Sequence, residues 1–404
     1  MNDCVIIGAG PAGLSAAIAC REWDLSVTVL DEFPEAGGRL LGQLYEQPDG
    51  SWWNGIEESK KLLTKAEELQ ADLQFEVSVH HIEKTDDRFI IHTNQGNFSG
   101  KSVLIATGAA EVQAPIPGWT LPGVMSIGAA QVMTNVHRVK VGEKGVIVGV
   151  NVLSAAIAHE LHLAGVNVAS MALPASNVVS EDEANPKKVM ESLARIAHLA
   201  PSAFIRFGSK FTNLSLVRNM VVNFFPSKGI KMWGMPIHLR KAVTRINGKD
   251  KVESVTMSKV TSKGEIVPNT EETIEVDFVC IAGGLYPLAE LASVLGCPFK
   301  YIAELGGHVP VHNESMETPV EGVYVAGNIT GVESAQVAAA QGTVAGLSIA
   351  QRLLNEEKVA QILPSAISQV KETREAAAIQ FHPGIDEGRR KIEEVYHEHT
   401  DIYE

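Results

Sequence analysis

Short, wholly apolar runs recur along the chain, and most end in small residues. Val5-Ile6-Ile7 leads into Gly8-Ala9-Gly10-Pro11-Ala12-Gly13 and then into the Ala-rich Ser15-Ala16-Ala17-Ile18-Ala19. A run without polar alternation predicts a strand covered on both faces, here followed by a tight turn and a helix. Ser26–Leu30, Ser102–Ala109, Gly145–Val148, Val166–Met171, Val276–Ala282 and Gly322–Ala326 also read as strands. Helical spacing marks 56–71, 186–199, 211–223, 366–379 and 386–398. Alternation over Gln74–His81 and Phe89–Thr93 predicts strands, with a turn at Asn94-Gln95-Gly96-Asn97. Lys241–Ile246 and Val252–Val260 read as further strands, with turns at Gly248 and Gly264. Buried strands alternating with helices predict an α/β fold. Residues 43–55 read as a polar loop around Trp52-Trp53, and 115–128, dense in proline and glycine, as a linker.

The first turn carries chemistry. In G-x-G-x-x-G, Gly8 permits the tight turn, Gly10 lets backbone approach a pyrophosphate, and Gly13 lets the helix pack on the strand. The helix N-terminus then faces the anion with its N–H groups and positive dipole end. Asp31 ends the next strand 23 residues after Gly8, close to the roughly 20 expected for a carboxylate on ribose hydroxyls. These residues predict a dinucleotide site.

Composition narrows the picture. The chain has 404 residues and a net charge of −14. The length suggests more than one domain, and the charge argues against nucleic acid as a general partner. No apolar run approaches the roughly 20 residues that span a bilayer, and the N-terminus lacks a basic n-region. The expectation is a cytoplasmic protein without a membrane segment. Cys4, Cys20, Cys280 and Cys297 form no C-x-x-C, so a redox disulfide and a zinc or iron–sulfur site are not expected. Cys4 and Cys280 lie in apolar runs, and Cys297 is the one candidate for a reactive thiol. His159 and His162, three apart on a helix, read as structural. His397 and His399 read as part of a solvated tail helix or a dimer contact, and no metal site is expected.

Gly8 to Gly13, Asp31 and the Gly37-Gly38 pair resemble the two-dinucleotide-domain flavoproteins of the thioredoxin reductase and pyridine nucleotide-disulfide oxidoreductase superfamily. Ala106-Thr107-Gly108 is similar to that superfamily's second FAD signature. Gly327-Asn328, followed by the helix of Gln336 and Val337, is similar to its third, with Asn328 where the pattern has Asp. The resemblance extends over residues 1–354. It implies two Rossmann-like dinucleotide-binding domains, the second inserted into the first: an FAD domain over 1–112 and 276–354, an NAD(P)-binding-like domain over 115–275, and a charged helical tail over 355–404. It implies FAD contacts at Gly8, Gly10, Pro11, Ala12, Gly13, Asp31, Glu32, Gly38, Arg39, Ala106, Thr107, Gly108, Gly327, Asn328, Gln336 and Val337.

A second turn, Gly149-Val150-Asn151-Val152-Leu153-Ser154, has the spacing of the first, but Asn151 and Ser154 replace two glycines. A side chain at Asn151 would crowd a pyrophosphate, so NAD(P) binding through Gly149, Asn151 and Ser154 is doubtful. Leu121–Met125 and Gly128–Gln131 are similar to a narrower group, the flavoprotein subunits of hydrogen cyanide synthase and opine oxidase and the α subunit of sarcosine oxidase. Three functions follow as expectations. One is an FAD-dependent oxidoreductase subunit oxidising an amine or amino acid, with electrons passing to a partner subunit or oxygen. The others are an NAD(P)H-dependent flavin reductase without a redox disulfide and a non-catalytic nucleotide-binding subunit. The expected assembly is with a partner oxidoreductase subunit or as a homodimer. Trp52-Trp53 could form a substrate wall or anchor a loop, and no general base is identified.

Overall fold

The computed structural model describes residues 2–47, 50–196, 222–223, 225–226, 228–377 and 384–400. Contacts divide the chain into two units, Met1–Leu41, Asn54–Ala110 and Leu285–Glu404 in the first, and Gly42–Trp53 with Glu111–Gly284 in the second.

In the first unit Asn2–Ile7 lies at the sheet centre, parallel to Val27–Leu30 on one side and to the upper half of Gly96–Ile105 on the other. Asp72–Gln74 extends the sheet beyond Val27–Leu30. The lower half of Gly96–Ile105 turns back antiparallel on Phe89–Thr93, which pairs with Val79–Lys84. Val323–Val325 completes the sheet beside Gly96–Ile105. The central segments Cys4–Ile7, Val103–Ile105 and Val323–Val325 are apolar and buried because both faces of the sheet are covered. Helix Pro11–Arg21 packs on helix Ala335–Leu354, backbone against backbone at Gly342, where a Cβ would fall 2.0 Å from the Ala12 carbonyl oxygen.

Two helices of the stretch 355–404, expected as a tail, pack into this unit. Helix Glu357–Ala376 lays Val359, Leu363, Ile367 and Val370 on helix Ala335–Leu354. Helix Ile385–Thr400 buries Ile385 and Ile392 against Ile302, Leu305, Val309 and Val311. The three-to-four spacing of those apolar positions is the physical reason.

The second unit has a sheet in the order Val124–Ser126, Phe278–Ile281, Lys144–Val148, Asn167–Pro174, Met235–Asn247, Ser254–Lys259 and Glu272–Glu275, with Ile230–Met232 also on Met235–Asn247. Helices Ile127–Asn135, Val152–Leu163 and Pro186–Ile196 accompany it. Three readings change here. The stretch 43–55 is a two-stranded hairpin, Leu44–Glu46 with Trp52–Asn54. Val124–Ser126 and the start of helix Ile127–Asn135 lie in the expected linker. Phe278–Ile281 pairs with Lys144–Val148 inside this sheet, and the first unit resumes only at Leu285. The helix expected at 211–223 lies almost wholly outside the described residues, as do the last residues of those expected at 186–199 and 366–379.

Candidate functional site

The glycine turn of the first unit is held from three sides. Gly8, at φ +107°, donates its N–H to the Leu30 carbonyl at 2.8 Å, and a Cβ there would lie 2.4 Å from the Ala106 carbonyl oxygen. At Gly13 a Cβ would lie 1.8 Å from the Gly8 carbonyl oxygen. Gly10 differs: a Cβ there would meet no protein atom within 4 Å. Its extended backbone caps helix Pro11–Arg21 without a side-chain hydrogen bond. Pro11 has no N–H to leave unsatisfied, so the N–H groups of Ala12 and Gly13 head an uncapped helix beneath open space. That is a cradle for an anion.

Asp31 fastens the cradle to the sheet. Its Oδ2 accepts from the Ala9 N–H at 2.6 Å and its Oδ1 from the Phe33 N–H at 2.8 Å. Burial raises its carboxyl above the usual range, and the two backbone donors oppose this. Glu32 is exposed beside it. The Gly37 N–H donates to the Ala9 carbonyl at 2.8 Å, and a Cβ on Gly38 would be 3.5 Å from the Gly10 Cα. Arg39 Nε donates to the Ala109 carbonyl at 3.0 Å. Ala106 N–H reaches the Ile7 carbonyl, Thr107 Oγ1 donates to the Leu288 carbonyl, and the Gly108 carbonyl accepts from Leu288 N–H. Gly327, at φ +80°, sits over Ala12, where a Cβ would be 2.9 Å from the Ala12 Cβ. All five motifs therefore meet on one rim, at the carboxyl ends of parallel strands, where open α/β sheets bind ligands. Asn328 Oδ1 accepts from the Glu333 N–H at 3.2 Å. Ser334 caps helix Ala335–Leu354 through the Val337 N–H. In its first turn Gln336 is exposed, while the Val337 side chain points into the core.

The second unit repeats the first turn and then departs from it. Gly149, at φ +113°, donates to the Ala172 carbonyl, and a Cβ there would strike the Ala282 carbonyl oxygen at 2.1 Å. Asn151, however, caps helix Val152–Leu163. Its Oδ1 accepts from the Ser154 N–H at 2.8 Å, and Ser154 Oγ accepts from the Asn151 N–H at 2.9 Å. Asn151 Nδ2 donates to the Ala282 carbonyl at 3.0 Å. The two replacements form one reciprocal capping box. They use donors that a phosphate would otherwise take.

All four cysteines are buried, Cys297 included, and burial raises its thiol although Thr318 hydrogen-bonds it. His159 stacks on Trp233 with ring centroids 4.5 Å apart. Trp53 stacks on Tyr45 and donates Nε1–H to Gln43 Oε1, while Trp52 is exposed. Among the described residues no three His, Cys, Asp or Glu side chains gather as a metal site, and no helix is long and apolar enough to cross a membrane. Two buried carboxylates escaped the sequence reading, Glu160 and Glu333. Glu160 had a faint signal in Gln131 and Asn135, four apart on one helix. Glu333 had none, because its partners Arg374 and Arg389 lie far along the chain.

The pattern of the pyridine nucleotide-disulphide oxidoreductases matches residues 2–196 and 205–342. An opine oxidase subunit of Rhizobium meliloti is 27% identical over 364 residues, covering 86% of this chain and 62% of that protein. Hydrogen cyanide synthase subunit HcnB of Pseudomonas protegens is 26% identical over 357 residues, covering 85% of this chain and 69% of that one. The chain thus spans between three-fifths and seven-tenths of the length of these two relatives. The thioredoxin reductase of T. acidophilum superposes with a TM-score of 0.62 at 24% identity, covering 87% of this chain and 99% of its own, a likeness of fold. The chain belongs to the pyridine nucleotide-disulphide oxidoreductase family.

Proposed function

We propose that the first unit holds FAD on the rim described above, and that the chain is a flavoprotein subunit oxidising an amine or amino acid, with electrons leaving to a partner subunit or to oxygen. The contrast between the two helix N-termini carries this reading. The first is uncapped beneath open space at Gly10. The second is closed on itself by Asn151 and Ser154. A chain with one open dinucleotide cradle and one capped one is built to draw electrons from its substrate rather than from NAD(P)H. Relatives named as subunits of opine oxidase and hydrogen cyanide synthase support a place in a larger complex.

FAD, when bound, supplies a two-electron acceptor. The Ala12 and Gly13 N–H groups would hold its pyrophosphate, and Gly10 leaves the room. Asp31, already accepting two backbone donors, keeps lone pairs for a ribose hydroxyl. Asn328 would meet the ribityl chain as a neutral partner. The first turn of helix Ala335–Leu354, with Gln336 exposed there, would favour negative charge at the flavin edge.

The test is an anaerobic visible spectrum of the purified chain, reconstituted with FAD where needed. It is titrated with NADH, NADPH and then a panel of amino acids and secondary amines. A flavin band that ignores both nicotinamides and is bleached by an amine supports the proposal. Rapid bleaching by NADH or NADPH would make the chain a reductase. A chain that takes up no FAD has a different cofactor arrangement from the one proposed.

A further inference from the structure

The C-terminal helices of the first unit reach the candidate cofactor rim through one buried carboxylate. Glu333 lies between Asn328 and the N-cap residue Ser334, and is 8% exposed. Its backbone is tied to the Asn328 side chain, and its carboxylate turns the other way. Arg374, on helix Glu357–Ala376, donates Nε–H to Oε1 and an Nη2–H to Oε2 at 3.3 Å. Arg389, on helix Ile385–Thr400, donates from Nε at 3.1 Å and from Nη2, both to Oε2. The Arg389 Nη1 group donates to the Thr330 carbonyl at 2.8 Å and to His312 Nε2 at 3.3 Å. His312 donates its Nδ1–H to the Pro310 carbonyl, which leaves Nε2 free to accept. Gln341 Oε1 takes the Gly327 N–H at 2.9 Å and the Thr330 hydroxyl at 3.3 Å.

The loop from Gly327 to Ser334 is thus pinned at Gly327, Asn328, Thr330 and Glu333, and the arginines provide the pins at Thr330 and Glu333. Close packing does not do this work alone. A cavity of about 360 Å³ lies among these helices, lined by His312, Gln341, Val370, Arg374, Arg389 and Ile392. Two arginines on one carboxylate, each able to donate in a fork, fix orientation as well as distance.

We propose that Glu333, Arg374 and Arg389 form a positioning clamp, by which the two C-terminal helices set the loop Gly327–Ser334 against bound FAD. This rests on the reading that the rim holds FAD. The clamp acts through Asn328 and the helix N-terminus beyond it.

The test compares the full-length wild type with Arg374→Met and Glu333→Gln, reading the FAD dissociation constant, the position of the bound flavin's visible band and the thermal unfolding midpoint. Arg374→Met is the decisive variant, because it leaves Glu333 paired one-to-one with Arg389 and so strands no carboxylate. Loss of one charge-assisted pin should raise the FAD dissociation constant roughly tenfold and shift the flavin band. Glu333→Gln, where it folds, should do the same more strongly. A folded Arg374→Met protein with wild-type FAD affinity and an unmoved band overturns the clamp, even with a lowered unfolding midpoint, since a merely structural contact would give that result. A wild type that takes up no FAD overturns the cofactor reading itself, and the clamp with it.

Discussion

Glu160, on helix Val152–Leu163, is buried against three donors. Gln131 Nε2 and Asn135 Nδ2 each reach its Oε2 at 2.8 Å, and the Leu44 N–H reaches its Oε1 at 3.2 Å. Asn135 also donates to the Gly42 carbonyl at 2.7 Å, so the same side chains hold the hairpin at its start. Burial pushes the Glu160 carboxyl up to about 7, and the three donors offset only part of that. In the unfolded chain it ionises near its ordinary value of 4.5. Between those values the folded protein binds the proton that the unfolded chain has lost. Stability therefore falls as pH rises from about 4.5 to about 7, and the cost is complete above that, on the order of 3 kcal/mol for this group. Glu160→Gln cannot ionise, so its urea-unfolding free energy should lose this slope between pH 5 and 8. A variant with the wild-type slope would show that Glu160 titrates normally.

At the scale of elements, two strand–turn–helix units share one glycine geometry and differ in how the helix begins. Gly8 and Gly149 adopt nearly the same φ, and each abuts a carbonyl of a neighbouring strand end. The sequence pattern made both turns legible, because the steric demand is local. The capping box was less legible. The sequence suggested that Asn151 would crowd a phosphate; in the fold the side chain instead turns back onto Ser154 and satisfies the helix itself. Asn151→Gly should uncap the helix for only a few tenths of a kcal/mol and raise the affinity for NADH, read by calorimetry. Unchanged or weaker binding would mean that the cap is not what closes this site. Sheet membership was the other limit at this scale. Phe278–Ile281 and Val323–Val325 are equally apolar, and only distant partners decide that the first joins the second unit's sheet and the other the first unit's.

For the whole molecule, the sequence located the five rim motifs because each is a short pattern with its own backbone requirement. It could not locate what holds them from afar. Arg374 and Arg389 read as charges on exposed helices, and the pairs they make with Glu333 span 41 and 56 residues. The charge of the last fifty residues likewise concealed a thin apolar stripe. Whether that segment is a working part of the first unit can be tested away from the clamp, at Ile392. Its side chain is 2% exposed and packs with Leu305, Val309 and Val311. In a solvated tail, Ile392→Ala would change stability by less than about 0.5 kcal/mol. In the packed helix it removes three buried carbons and leaves a cavity, so the first unit should lose about 3 kcal/mol. Chemical denaturation should show that loss in the first unit's transition, with the second unit's unchanged. Hydrogen exchange should localise it to helix Ile385–Thr400 and the hairpin Phe299–Ile302 with Gly307–Pro310, because these supply the other wall of the same cluster.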